Sequence, residues 1–420
     1  MSLLDRLAAD LDRRLAAADA DLAKLYPGDR GARQPVHTVY VPADRFTADL
    51  ATDWGRQARA TLAAHGGTPD VFAAALRADP TAVAAVYDRL VGKLTTEPIE
   101  DLRIDFEDGY GNRPDEEEDA AAVSAARALR AALTAGTAPP FCGIRFKNLE
   151  RPTRRRGLRT LDLFIGELAG SGGLPAGFVL TLPKVTSVDQ VEAMVHVVTE
   201  LERAHGLSPR SLPFEIQVET PQAILGPGGR ALVAPMIHAA DGRCTALHYG
   251  TYDYSASCGI AAEYQSMEHP AADHAKAVMQ VAAAGTGVHI SDGSTNVLPV
   301  GEPAAIRAAW QLHARLVRRS LERGIYQGWD MHPGQLPTRF AAVFLFYLEG
   351  LTSAIARLRA YVQRTDSGYL DEPATAVALA GFIVRAVECA AIDQSQITAA
   401  TGLDRSQLHL LARRAPAAQR

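Results

Sequence analysis

The chain has 420 residues, with 43 lysines plus arginines against 48 aspartates plus glutamates, a formal net charge of −5, 47% hydrophobic and 22% charged residues. This composition excludes a disordered chain, and the mild acidity offers no electrostatic footprint for nucleic acid. No apolar run reads as the ~20 residues of a membrane span, and the opening MSLLDRLAADLDRRL mixes acids with bases, unlike a signal or transit peptide. Four cysteines (Cys142, Cys244, Cys258 and Cys389) without CxxC spacing predict a reducing, cytoplasmic setting and no zinc knuckle. Only five of the basic residues are lysines, at positions 24, 93, 147, 184 and 276, so the place of each one matters.

In chain order, Leu3, Leu4, Leu7, Leu11, Leu15 and Leu22 recur at helical spacing and predict an amphipathic helix over 1–26, ended by Pro27 and Gly28. Short β-like runs then alternate with helical patterns. The predicted strands are 37–42 (HTVYVP), 102–107 (LRIDFE), 142–147 (CGIRFK), 177–183 (GFVLTLP), 213–219 (PFEIQVE), 245–250 (TALHYG), 287–291 (GVHIS) and 325–331 (IYQGWDM). Helical patterns include 115–133, 187–204, 221–239, 271–284, 302–323 and 336–358. Strands separated by helices of this length form right-handed βαβ units, and eight of them make a TIM barrel. A doubly wound sheet would place GxGxxG after an early strand; here GSGG at 170–173 follows a helix and reads as a loop. Residues 47–94 carry two helical patterns, 50–64 and 71–94, and read as an elaborated first crossover. The expected fold class is therefore α/β, organised as an N-terminal helical segment (1–34), a TIM-barrel catalytic domain (35–345) and a C-terminal helical extension (346–420) serving as lid or oligomer contact. The helix-turn-helix-like stretch 397–411 falls in that extension.

Strand alternation locates the chemistry. Arg103, Asp105 and Glu107 share one face, as do Glu215, Gln217 and Glu219, and as do Arg145 and Lys147. A parallel strand buried on both faces should be almost wholly apolar, so these polar faces mean paired charges inside the barrel or an active site at the strand ends. Arg103, Asp105 and Glu215 lie early enough for interior pairing; Glu107, Asp108, Arg145, Glu219 and Asp253 lie where barrel active sites sit. Glu219 and Asp253, on neighbouring strand ends, make a hard oxygen pair suited to Mg²⁺ or Mn²⁺, and Gly250 allows close backbone approach. His37, His248 and His332 are candidate bases, while His289 reads as an interior hydrogen-bonding group and His269 with His274 resembles a metal pair by spacing alone.

Seven segments, in order, resemble the HpcH/HpaI aldolase/citrate lyase family: VPADR (41–45), DFEDG (105–109), GIRFKN (143–148), LPKV (182–185), VET (218–220), GTYDY (250–254) and HPGQ (332–335). The resemblance implies a magnesium-dependent TIM barrel of the phosphoenolpyruvate/pyruvate superfamily that works on C–C bonds through an enolate. It would make Glu219 and Asp253 the metal ligands, with Arg145, Glu107 and Asp108 catalytic. Arg145, Lys147, Lys184, Gly250, Thr251, Tyr252 and His332 would surround the substrate. The expected substrate is a 2-oxo acid or hydroxy acid, and the expected assembly a homo-oligomer, with no nucleic-acid or membrane partner. Departures from the pattern, including the acidic run 116–119, favour a free 2-oxo acid over a coenzyme A thioester. The alternatives are a malyl- or citramalyl-type acyl-CoA lyase, a Schiff-base aldolase using Lys147 or Lys184, phosphoenolpyruvate phosphotransfer, and a catalytically silent binding subunit.

Overall fold

Each of the eight runs contains a strand in the computed structural model, which describes residues 2–364 and 372–413. They are β1 (His37–Pro42), β2 (Asp101–Asp105), β3 (Phe141–Arg145), β4 (Phe178–Leu182), β5 (Phe214–Val218), β6 (Cys244–Tyr249), β7 (His289–Ser291) and β8 (Gly328–Asp330). All pairings are parallel, in the order β7-β6-β5-β4-β3-β2-β1-β8. A bridge between Ser291 and Gln327 links the two outer strands. The sheet is a nearly closed barrel with helices between its strands, a TIM-like α/β fold.

The apolar alternation set, including Val39, Ile104, Ile144, Leu180, Ile216 and Leu247, is wholly buried. The polar set builds a network of its own. Arg103 donates to Thr181 (3.1 Å) and to both oxygens of Glu215 (3.0 and 2.7 Å), and it also meets Asp101. Tyr40 reaches Glu215 (3.3 Å) and His248 (3.2 Å). Pairing of this kind is what lets charges survive burial, and it answers the expectation of interior pairing for Arg103 and Glu215. It also accounts for His248.

Three features differ from the sequence reading. The first crossover holds three helices, Leu50–His65, Pro69–Leu76 and Pro80–Thr96, because Arg77 turns into the left-handed region (φ 56°) and Asp79 caps a new helix beginning with Pro80. The single helix expected over 221–239 is two, Pro221–Ile224 and Val233–Ala239, separated by a loop containing Gly226, Pro227, Gly228 and Gly229. One helical stretch, Pro333–Gln363, is long and apolar enough to cross a membrane by length and composition, contrary to the expectation that no run reaches that length. Its apolar side chains are used within the fold: Phe340 and Phe344 are fully buried, and Arg339 pairs with Asp330 at 2.9 Å.

The far half of the helix Leu336–Gln363 packs on the helices Pro373–Glu388, Gln394–Thr401 and Arg405–Ala412 through Leu358, Ile383, Ile397 and Leu408. Arg385 lies over Tyr326, just before β8, at 4.3 Å. The extension therefore meets the barrel near the start of β8. Parts of the predicted extension, 365–371 and 414–420, lie outside the described residues. The helix Leu3–Leu25 forms with Ser2 in a capping box and leaves its leucine stripe exposed.

Candidate active site

The chain leaving β2 curls back on Asp105, whose carboxylate accepts the backbone N–H of Glu107 (3.0 Å) and of Gly109 (2.9 Å). The same carboxylate receives Arg145 from the end of β3 in a bidentate pair, Nε to Oδ1 and Nη2 to Oδ2, both 2.7 Å. Tyr40 packs against that guanidinium (4.9 Å), leaving Nη1 3.4 Å from Gln217 Oε1 and 3.6 Å from Glu107 Oε2. Asp105, placed by sequence with the interior charges, is thus the group that orients Arg145. Gln217, which the sequence places on a polar strand face without a role, is the second neighbour of Arg145. Both lie on the polar faces of their strands, which was the available signal.

Lys184, two residues beyond β4, occupies the left-handed region at φ 51°, a strain on the order of 1 kcal/mol that surrounding contacts must offset. Its backbone N–H donates to Glu219 Oε1 (2.8 Å). Its ammonium lies 2.8 Å from Asp108, 2.9 Å from Asp253 and 3.4 Å from Glu107. Four carboxylates from the ends of β2, β5 and β6 are therefore gathered around one lysine. Glu219 is buried, and Gln217 donates its amide to the second oxygen. Gly250 makes the packing possible, since a Cβ there would stand 2.5 Å from Glu219 Cβ and 2.6 Å from Oε2.

Burial pushes the Glu219 carboxyl up to about 8; Lys184 opposes this, while Glu107 and Asp253 add to it. Burial likewise takes Glu107 up to about 7, against Arg145 and with Asp108. For Asp108 burial is again the largest single influence, but the Lys184 hydrogen bond, the charges of Arg145 and Lys184 and the bond with Glu107 together exceed it, so its pKa falls. Lys184 is raised, because the charges of Glu219 and Glu107 and the bonds to Asp108 and Asp253 exceed the cost of burying the ammonium.

The remaining predicted residues are placed elsewhere. β3 ends at Arg145, so alternation does not carry on to Lys147. The Lys147 ammonium donates to the carbonyls of Phe106 (2.8 Å) and Gly111 (3.0 Å) and pairs with Glu118 (2.8 Å), pinning the loop after β2. His332 Nδ1 accepts the N–H of Gly334 (3.0 Å) and caps the turn before the long helix. Tyr252 accepts the N–H of Asn296 through its hydroxyl (2.6 Å), tying the short helix Thr251–Ser257 after β6 to the loop after β7. Thr251 is buried with its hydroxyl unpartnered. His37 bridges Asp330 (2.7 Å) and the N–H of Glu100 (3.1 Å) at the start of β1, and His269 caps the helix Pro270–Ala283.

Among the described residues no three His, Cys, Asp or Glu side chains form a ready metal cage. Glu219 and Asp253 nevertheless suit a hard divalent ion. The buried Glu219 carboxyl is short of positive charge, and the cation now supplied to Asp253 is a side chain that can swing away. The residues fit such an ion once the Lys184 ammonium moves aside.

Among solved structures, the chain resembles a citrate lyase of Burkholderia xenovorans at 18% identity, over 91% of this chain and 99% of that one, with a TM-score of 0.57. It is also similar to the malate synthase of Haloferax volcanii (15% identity, 91% and 97% covered, TM-score 0.49) and to an HpcH/HpaI aldolase/citrate lyase family protein of Burkholderia cenocepacia (15%, 81% and 99%, TM-score 0.39). The first likeness is one of fold. No curated protein matches the chain. Residues 15–415 match the family described as "Domain of unknown function (DUF6986)", and the chain belongs to that family.

Proposed function

We propose that the protein is a divalent-metal-dependent carbon–carbon lyase or aldolase acting on a 2-oxo acid or related carboxylate. The observation that carries this reading is the arrangement at the strand ends, where Arg145, locked by Asp105, stands 3.6 Å from Glu107 and the neighbouring Lys184 gathers Asp108, Asp253 and Glu219. Glu219 and Asp253 would hold the ion. When bound, Mg²⁺ or Mn²⁺ supplies the Lewis-acid charge that makes an enolate accessible. Arg145 presents Nη1 to the substrate carboxylate and to the oxygen where negative charge develops, without reorganising, because Asp105 already holds the other edge of the guanidinium. Glu107 Oε2 is placed beside that edge to take and return a proton, and Asp108 holds the Lys184 ammonium at the rim. The unpartnered Thr251 hydroxyl is a further hydrogen-bonding group at the start of the short helix Thr251–Ser257 that carries Asp253.

A Schiff-base route asks for a lysine whose pKa is lowered. Lys184 is shifted the other way, and Lys147 is saturated by two carbonyls and Glu118. A second reading, an acyl-CoA thioester as substrate, has support from Arg151, Arg154 and Arg155. These are exposed where the chain leaves β3 and opens the helix Arg154–Gly170, at the same end of the barrel as Arg145.

The test is a screen for pyruvate or glyoxylate release from 4-hydroxy-2-oxo acids and from malyl-type thioesters, run side by side with Mg²⁺, Mn²⁺ or EDTA. Turnover that needs the metal and is lost in Glu219→Gln supports the reading. Turnover that survives both EDTA and Glu219→Gln overturns it.

A further inference from the structure

A cavity of about 290 Å³ lies at the opposite end of the barrel, between residues 29–34 and the helix Pro373–Glu388. His289, opening β7, forms part of its wall and also borders a space of about 190 Å³ that leads to Arg103 and Glu215 in the barrel interior. Drug-sized ligands take pockets from about 300 Å³ upward, so this cavity suits a smaller molecule.

Its lining carries charges of both signs. Arg385 and Arg413 both line it, and among the described residues neither stands within ion-pair distance of an acid, although Arg385 and Glu388, one helical turn apart, feel one another's charge. Arg385 rests on the Tyr326 ring at 4.3 Å, and the Arg413 guanidinium lies against Gly31, where any Cβ would collide with it. Asp29 and Glu388 bring negative charge to the same space, Glu388 standing 3.7 Å from His409. His289 has no hydrogen-bond partner among the described residues, and burial depresses its pKa to about 4, leaving a neutral ring that can donate or accept.

We propose that this cavity is a second ligand site, for a small zwitterion of the amino-acid class. Arg385 and Arg413 take the carboxylate, His289 hydrogen-bonds to it, and Glu388 with Asp29 receives the ammonium. The two acids disfavour a dicarboxylate, which would bring a second negative charge against them.

The test screens the proteinogenic amino acids one by one against the full chain by thermal shift, with succinate and acetate as carboxylates lacking an ammonium group, and follows each hit by calorimetry. At least one amino acid is expected to bind saturably and raise Tm, with succinate and acetate at least about tenfold weaker. Arg385→Gln is expected to weaken that binding by about tenfold or more. Gly381→Leu, which fills the cavity wall without changing a charge, is expected to do the same while the metal-dependent turnover stays unchanged, so the result stands even where Arg385→Gln fails to fold. The proposal is overturned if no amino acid binds, if succinate binds as tightly, or if binding persists in Gly381→Leu.

Discussion

The ammonium of Lys184 stands 2.9 Å from the carboxylate of Asp253, joining the end of β4 to the short helix after β6 across the barrel mouth. The left-handed backbone at Lys184 lets one residue serve both sides of the site, its N–H bonding Glu219 while its side chain reaches Asp108 and Asp253.

That lysine competes with any cation for Asp253. Lys184→Met keeps the length of the side chain and removes the charge, so Mn²⁺ is expected to bind about tenfold more tightly, ~1.4 kcal/mol. Titration followed by the EPR signal of free Mn²⁺ measures it. Equal or weaker affinity would mean that the ammonium does not occupy the cation's place.

Asp105 positions Arg145 and touches no substrate in the proposed scheme. Asp105→Ala leaves a buried guanidinium without its partner, a loss of about 3–5 kcal/mol of stability, readable by urea unfolding. Arg145→Lys keeps the charge but cannot make the bidentate pair. It is expected to lower kcat/KM by roughly 10²-fold or more with a smaller loss of stability than Asp105→Ala. A variant with wild-type turnover would contradict the assignment of Arg145.

Gly250 has an ordinary extended backbone (φ −98°), so any effect of adding a methyl group comes from space and not from conformation. Gly250→Ala forces Glu219 to move, because its Cβ would lie 2.5 Å from that of Glu219. Metal affinity is expected to fall by about tenfold or more, while the circular dichroism spectrum stays that of the wild type. Unchanged affinity would remove Glu219 from the set of ligands.

Burial depresses His289 to about 4, below the ~6.5 of an unfolded histidine. Between those values the unfolded chain takes up a proton that the folded chain refuses, so His289 contributes stability at neutral pH that is lost as pH falls from ~6.5 to ~4. Allowing for partial exposure, the loss is on the order of 2 kcal/mol. His289→Gln should flatten that part of the stability–pH curve, measured by urea unfolding at several pH values. The same slope in both proteins would rule His289 out as its source.

The eight strands were legible because alternation and the intervening helical runs constrain a βαβ chain strongly, and the positions flanking the strand ends were legible because barrel topology puts them at one mouth. Composition was less dependable for the helices. The stretch Pro333–Gln363 is apolar enough for a membrane, yet Arg339 within it meets Asp330 inside the fold. The break at Arg77 and Asp79 also lay within a continuous apolar pattern, where a turn and a new cap leave hydrophobic periodicity almost unchanged.

By itself, the sequence determined the barrel, its parallel order of βαβ units and the group of Glu107, Asp108, Arg145, Glu219 and Asp253 as residues at strand ends. Only the tertiary structure decided which of the polar neighbours act on one another. Lys147 and Lys184 look alike as lysines at strand ends, but one is spent on Phe106, Gly111 and Glu118 and the other stands among the carboxylates. Asp105 belongs to the polar face of β2, but its role is set by Arg145, forty positions away. Periodicity reports the face on which a side chain leaves its strand. Charge pairing also depends on where each strand ends and how the loops beyond it turn, and those are settled when the barrel closes.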